Sequence, residues 1–148
     1  MVRGWLASFF SKGEYEMATF QTVEEAREYF SKDLFATENG VILEELTSNS
    51  AVCSLALSSR HRNAEGGVMG GAIFTLIDLA FAAAATNVHK PTVAQQVSMN
   101  FLSGSRGNRL TAKAVCRKDG KTSCVYQVDV TDDLGRDIAQ AVVTGFKL

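Results

Sequence analysis

Proline occurs once in these 148 residues, at Pro91, and histidine only twice, at His61 and His89. A single proline leaves no polyproline segment or stiff linker, and the chain carries no repeat or low-complexity tract. Two separated histidines are too few for a metal cluster. Cysteine is scarce too: Cys53, Cys116 and Cys124 are odd in number, lie in strand-like segments and lack Cys-x-x-Cys spacing. They read as small core residues in a reducing compartment, not as a disulfide frame or zinc site, which predicts a cytoplasmic protein. Basic charge has no excess either. The net charge of −1 and pI near 6.1 argue against nucleic acid as the main partner. Met1 to Phe10 is a short apolar patch with one Arg, followed by Lys12, Glu14 and Glu16 without a small-residue cleavage site. It does not read as a signal peptide. Residues 1–21 are therefore taken as an extension ahead of one domain, 22–148, which at 46% apolar content can bury a core.

The scarcest feature is charge between Gly66 and Val88, where Asp78 stands alone. Four glycines (Gly66, Gly67, Gly70, Gly71) open this stretch, and an Ala-rich apolar run from Ala72 carries it on. Its length and its Gly-x-x-x-Gly spacing allow a membrane span. A central Asp costs a span roughly 2.5–3.5 kcal/mol, four glycines weaken the first turns, and the rest alternates like soluble strands. A membrane is excluded on that balance. Two readings stay open: a fully buried central helix whose Asp is paired or caps a backbone, and a site. In the second, glycines let a ligand approach free N–H groups at a helix start while Asp78 handles protons or water. Either way, Asp78 is expected to lose most of its hydration among Phe74, Ile77, Leu79 and Phe81.

Along the chain, Thr22-Val23-Glu24-Glu25 is a capping box predicting a helix to about Leu34, with Val23, Ala26 and Phe30 inward. Strands follow at 41–47 and 51–57, then a polar and Gly-rich loop over 59–70 and a long helix over 71–88 that Pro91 prevents from continuing. Alternation then marks strands at 96–101, 110–117, 124–131 and 137–147. Asp119-Gly120 signals a two-residue type I′ hairpin. Strands, one long helix and four strands on short turns make an α+β protein with an antiparallel sheet covering the helix on most sides. Acidic and basic groups are unevenly placed. Residues 14–45 hold nine of the sixteen acidic groups, and Arg106, Arg109, Lys113, Arg117, Lys118 and Lys121 face only Asp119 in sequence. That basic stretch is either a solvated face or a holder of small anionic phosphates.

His61-Arg62-Asn63, Met69-Gly70-Gly71 and Leu76-Ile77-Asp78, with Lys118-Asp119-Gly120-Lys121-Thr122-Ser123, resemble in order and spacing the hotdog-fold acyl-CoA thioesterases, in the phenylacetic-acid-degradation branch. The resemblance covers about residues 22–148 and implies a hotdog fold, an antiparallel sheet wrapped around one central helix. It implies hydrolysis of an acyl-coenzyme A thioester with no cofactor beyond the coenzyme A of the substrate. It gives Asp78 the role of base or nucleophile, Asn63 the placing of water, and the Gly70 N–H the polarising of the thioester carbonyl. A helix start offers free donors and a partial positive charge, and one such donor is worth roughly 10²–10³ in rate. The likeness makes Gly120, Lys121, Thr122 and Ser123 the coenzyme-contacting segment, and His61, Met69, Gly71 and Arg106 are further expected substrate contacts. Gln95 and Gln96, which begin the strand after the helix, are candidates to line the pocket.

The departure is Met69, where this branch usually carries His; a thioether neither donates a strong hydrogen bond nor carries charge. Blander roles compete at other positions. His61 is read also as a loop histidine bonded to backbone, and Asn63 as a turn former ahead of Glu65-Gly66. Among functions, Met69 favours a module that binds acyl-CoA without turnover, and Asp78 opposes it. A dehydratase on the same fold needs a placed His and a Pro-rich loop that this chain lacks. Finally, Gly70 and Asp78 are eight residues apart, roughly 12 Å along a helix. One helix cannot bring both to one reacting carbon, so the expectation is a homodimer with shared sites, and the resemblance implies that such dimers pair into a dimer of dimers.

Overall fold

The computed structural model describes residues 18–148. The expected extension 1–21 therefore lies mostly outside the described residues. Its last part belongs to the fold: Thr19 N–H donates to Asn87 O at 2.8 Å, and Phe20 is buried.

Helix α1, Val23–Phe30, starts at the expected Thr22 cap, with Glu25 reaching back one residue beyond it. Glu25 N–H donates to Thr22 Oγ1 at 3.1 Å, and Gln21 N–H to Glu25 Oε2 at 2.8 Å. Ala26 and Phe30 are buried, with Val23 packed beside them. The helix does not run to Leu34. Ser31 folds its hydroxyl onto Glu28 O and its N–H onto Arg27 O, which ends α1. A second helix, α2, then spans Leu34–Glu38, burying Ala36 and leaving Leu34 and Phe35 exposed. Gly40, at φ +97°, turns the chain into the sheet.

Strands β1 (Val41–Leu46), β2 (Ser50–Ala56), β3 (Thr92–Phe101), β4 (Arg109–Asp119), β5 (Ser123–Asp132) and β6 (Asp137–Lys147) form one antiparallel sheet in the order β1-β2-β4-β5-β6-β3. Their alternation puts Cys53, Leu55, Leu110, Ala112, Tyr126, Val128 and Val143 on the buried face. β3 pairs with the last strand and forms an edge.

Helix α3, Gly70–Val88, lies across that face. Phe81 meets Tyr126 edge-on at 5.5 Å, which requires Gly145 below: a Cβ there would sit 2.7 Å from Cys124 Sγ and 2.8 Å from the Phe81 ring. The helix is apolar enough to cross a membrane by length and composition, yet 61% of its most apolar window is buried in the fold. α3 starts beside Phe101 at the end of β3 and finishes at the opposite end of the sheet, where His89 Nε2 lies 3.0 Å from Leu148 O.

The β4–β5 hairpin departs from the expected type I′ turn. Residues 120–122 form its loop, and Gly120 lacks the positive φ that such a turn needs. A register shift between Cys116 and Lys118 places an extra residue in β4 just before the connection. Glycine is still required at 120, because a Cβ would stand 2.7 Å from Ser123 O.

Candidate active site

The loop before α3 is held by its own side chains. Asn63 Oδ1 accepts from Glu65 N–H and Gly67 N–H, both at 3.0 Å, while its backbone bonds Gly67 O and Gly66 N. Its oxygen is thus committed to the turn, and only the amide NH2 is left for a ligand. His61 is buried: Ser58 N–H approaches Nδ1 at 3.0 Å, and Nε2 lies 2.6 Å from Asn39 O. With both ring nitrogens engaged by backbone, the ring is a structural clamp between the loop and the end of α2. The backbone-bonded role anticipated for His61 is the one its contacts match, so a direct substrate contact is not available to its ring nitrogens. Met69 N–H donates to His61 O at 2.8 Å, which hands the chain to the helix start.

Met69 precedes the first helical residue in extended backbone, and its side chain is 55% exposed. The first turn, closed on Met69 O by Ala72 and Ile73, leaves the N–H groups of Gly70 and Gly71 without a backbone acceptor among the described residues. No acidic side chain fills that turn. A free donor pair at the positive end of a 19-residue helix suits an oxygen that gains negative charge.

Asp78 corrects an expectation. It does not sit buried in the fold; it is exposed on the side of α3 that the sheet leaves uncovered, with Gly71, Phe74, Thr75 and Ala82. The sheet covers only one side of a helix, so residues at i, i+3, i+4, i+7 and i+11 from Gly71 are left outward. Asp78 has no hydrogen-bond or ion-pair partner among the described residues. Apolar neighbours crowd one side of it, and this loss of hydration, followed by the charge of Asp33, holds its proton affinity above that of an ordinary carboxylate. It lines a cleft of about 330 Å³ between α2 and α3, with Asp33, Leu34, Phe35, Phe74 and Thr75 also on the wall.

The basic stretch is divided by the fold. β4 has eleven residues, so Arg109 and Asp119 stand roughly 33 Å apart. Arg106 lies at the end where α3 starts. Arg109 is taken up by Glu44 Oε1 and Ser54 Oγ, each 2.7 Å away. Gly120, Lys121, Thr122 and Ser123 lie at the other end, near where α3 finishes: Lys147 N–H donates to Thr122 O at 2.9 Å, and Lys147 Nζ pairs with Asp119. Within one chain, this hairpin and Gly70 are separated by about the length of α3, roughly 28 Å. The expected grouping of Arg106 with Lys121 around one nucleotide does not exist on a single chain. Gln95 falls within a register shift of β3 between Ala94 and Gln96; Gln95 and Gln96 are both exposed and do not line the α2–α3 cleft.

A family model described as Thioesterase superfamily matches residues 65–139, which include Gly70 and Asp78. The chain belongs to the thioesterase superfamily. It is 27% identical over 117 residues to the acyl-coenzyme A thioesterase PaaI of Escherichia coli, covering 78% of this chain and 84% of that one. The solved structure of the E. coli PaaI protein superposes with a TM-score of 0.79 at 24% identity, over 84% and 91% of the two chains. A putative esterase of Archaeoglobus fulgidus is 30% identical over 131 residues, 86% of this chain and 84% of that one. A hypothetical thioesterase from Streptococcus pneumoniae, solved with coenzyme A, aligns over 79% and 94% of the chains at 26% identity and a TM-score of 0.73. The sheet and central helix are those of the hotdog thioesterases.

Sequence reasoning passed over Asp33, Leu34 and Phe35, because it places the end of α1 at about Leu34 and no second helix after it. The available signal was Asp33 as a helix-starting residue ahead of Leu34-Phe35, an apolar pair in a polar stretch.

Proposed function

We propose that this thioesterase hydrolyses an acyl-coenzyme A thioester at sites shared between two chains. The observation that carries the reading is the pairing of free N–H groups at the start of α3 with an open, unpartnered carboxylate at Asp78 on the same helix. The two are roughly 12 Å apart along the axis, so they meet only if Gly70 of one chain faces Asp78 of another. Two α3 helices side by side and antiparallel do this twice in one dimer.

The thioester oxygen accepts from the Gly70 N–H, and negative charge builds there as the carbonyl carbon is attacked. The partner's Asp78 takes the proton of the attacking water, or attacks first and is regenerated by water; both routes need its ionised form. The carbon–sulfur bond then breaks, and coenzyme A leaves as a thiolate that takes up the proton. The role of orienting water falls to the NH2 of Asn63, which the turn leaves free while it takes up the amide oxygen. The reaction as proposed calls on no metal or further cofactor. The helix pairing also explains the divided basic stretch. With Gly70 facing Asp78 across the axis, the end of the partner's α3 comes to roughly 15 Å from Gly70, against roughly 27 Å for its own. The partner's Gly120–Ser123 hairpin thus lies where the pantetheine arm can deliver the phosphates, and Arg106 of the first chain flanks the site. A pair of such dimers is the expected assembly, and the free Cys53, Cys116 and Cys124 suit a cytoplasmic protein.

Acyl-CoA binding without turnover is the second reading, favoured by the thioether of Met69 at the helix start. The test mixes Gly70→Pro with Asp78→Asn. Met69 already has the extended backbone that precedes proline, and the first helical position tolerates proline, so the change removes the donor and asks only that the exposed Phe101 ring give way. Each variant alone should be inactive. After joint unfolding and refolding, about half the dimers are mixed and one of their two sites is intact, returning roughly a quarter of full activity. No recovery, with mixed dimers shown to form, would sink the shared site.

A further inference from the structure

The cleft between α2 and α3 is apolar apart from Thr75 and two carboxylates, and no basic side chain lines it among the described residues. Asp33 and Asp78 reach it from different elements, α2 and α3. Asp33 stands where α2 starts, but its side chain makes no capping hydrogen bond. Neither carboxylate has an ion-pair partner among the described residues. Resting on the reading of Asp78 as the group that acts at the thioester carbonyl, we propose that this cleft receives the acyl group, that it takes uncharged acyl groups, and that Asp33 is the specificity-determining residue that turns away acyl groups ending in a carboxylate.

The geometry supports this in three ways. A cleft lined by Asp78 adjoins the carbonyl on which Asp78 acts, so the acyl group extends along it. Phe35, Phe74, Leu34 and Ala82 give an aliphatic or single-ring acyl group apolar surface to cover, and about 330 Å³ is at the small end for a ligand pocket. An entering carboxylate, by contrast, meets two like charges and no counter-ion. Repulsion over several ångströms in a half-desolvated cleft is worth roughly ten-fold or more in binding. The same field is felt by Asp78, whose proton affinity Asp33 helps to raise. Among the described residues, Asp33 is the charge that acts on Asp78. Its own helix carries no other charge from Gly70 to Val88, and the strands packed beneath present buried apolar side chains.

The experiment compares butyryl-CoA with succinyl-CoA, which differ by a methyl against a carboxylate, on wild type, Asp33→Asn and Asp33→Glu. Wild type should prefer butyryl-CoA by ten-fold or more in kcat/KM. Asp33→Asn, which keeps the shape and a helix-starting side chain, should shrink that preference at least three-fold through a lower KM for succinyl-CoA, and Asp33→Glu should restore it. An unchanged ratio in Asp33→Asn, or a wild type that prefers succinyl-CoA, overturns the proposal. The hydrolase reading fails separately, by absence of thiol release from every acyl-CoA. In that event the ratio of the two dissociation constants, measured by calorimetry on wild type and Asp33→Asn, decides the role of Asp33 by the same criterion.

Discussion

On its sheet side, α3 presents Leu76, Ile77, Ala80, Phe81, Ala83 and Ala84, each no more than 1% exposed. On its outward side it presents Gly71, Phe74, Thr75, Asp78 and Ala82, none of them buried. The two faces share most of their alphabet, small and apolar, and are separated by about half a turn. What differs is the partner. The sheet face is packed by β2 and β4 and has no room for change, whereas the outward face ends in a cleft shared with α2 and in a carboxylate without a partner among the described residues. Packing has been completed on one side and left for a ligand or a second chain on the other.

The largest break in this comparison comes from Asp78→Asn. Loss of the only base on the outward face should lower kcat by 10² to 10⁴, read by thiol release, with acyl-CoA binding kept. A variant keeping more than a tenth of wild-type kcat removes Asp78 from the mechanism. Stability should move the opposite way. The folded carboxyl holds its proton above the ordinary carboxylate range, so its ionisation costs stability as pH rises through that raised value. At neutral pH, Asp78→Asn should therefore melt at or above the wild-type temperature, and the activity of wild type should show an acid limb above pH 3.8.

A matched pair of substitutions separates the faces directly. Ala80→Leu forces three extra carbons into a closed core and should cost about 1–3 kcal/mol or more in denaturant unfolding. Ala82→Leu, two residues on, should cost under 1 kcal/mol and act instead on acyl-CoA kinetics, because Ala82 lines the cleft. Equal destabilisation by the two would mean that the outward face is as closed as the other.

The smallest effect is expected at the far hairpin. Lys121→Ala should raise KM for acyl-CoA a few-fold and leave kcat nearly unchanged, because an exposed cation touches only the remote end of the substrate. The effect should fade in high salt. If a short thioester without the nucleotide suffers equally, the hairpin does not hold the coenzyme.

The residues themselves determined a good deal. Period-two alternation and short turns set six antiparallel strands, the Thr22–Glu25 box set α1, and the lone charge at Asp78 after four glycines marked the helix that matters. These signals are local, carried by side chains within a few residues of one another, and a linear reading reaches them. Three things were decided only in three dimensions. Which side of α3 the sheet covers fixed Asp78 as exposed, since a helix this apolar shows no polar stripe to announce its outer face. The length of β4 split the basic residues to opposite ends, which adjacency in sequence conceals. The break after Phe30 turned Asp33 toward a carboxylate 45 residues away in sequence, because burying Phe30 and Ala36 in one core outweighs the local propensity to continue a single helix.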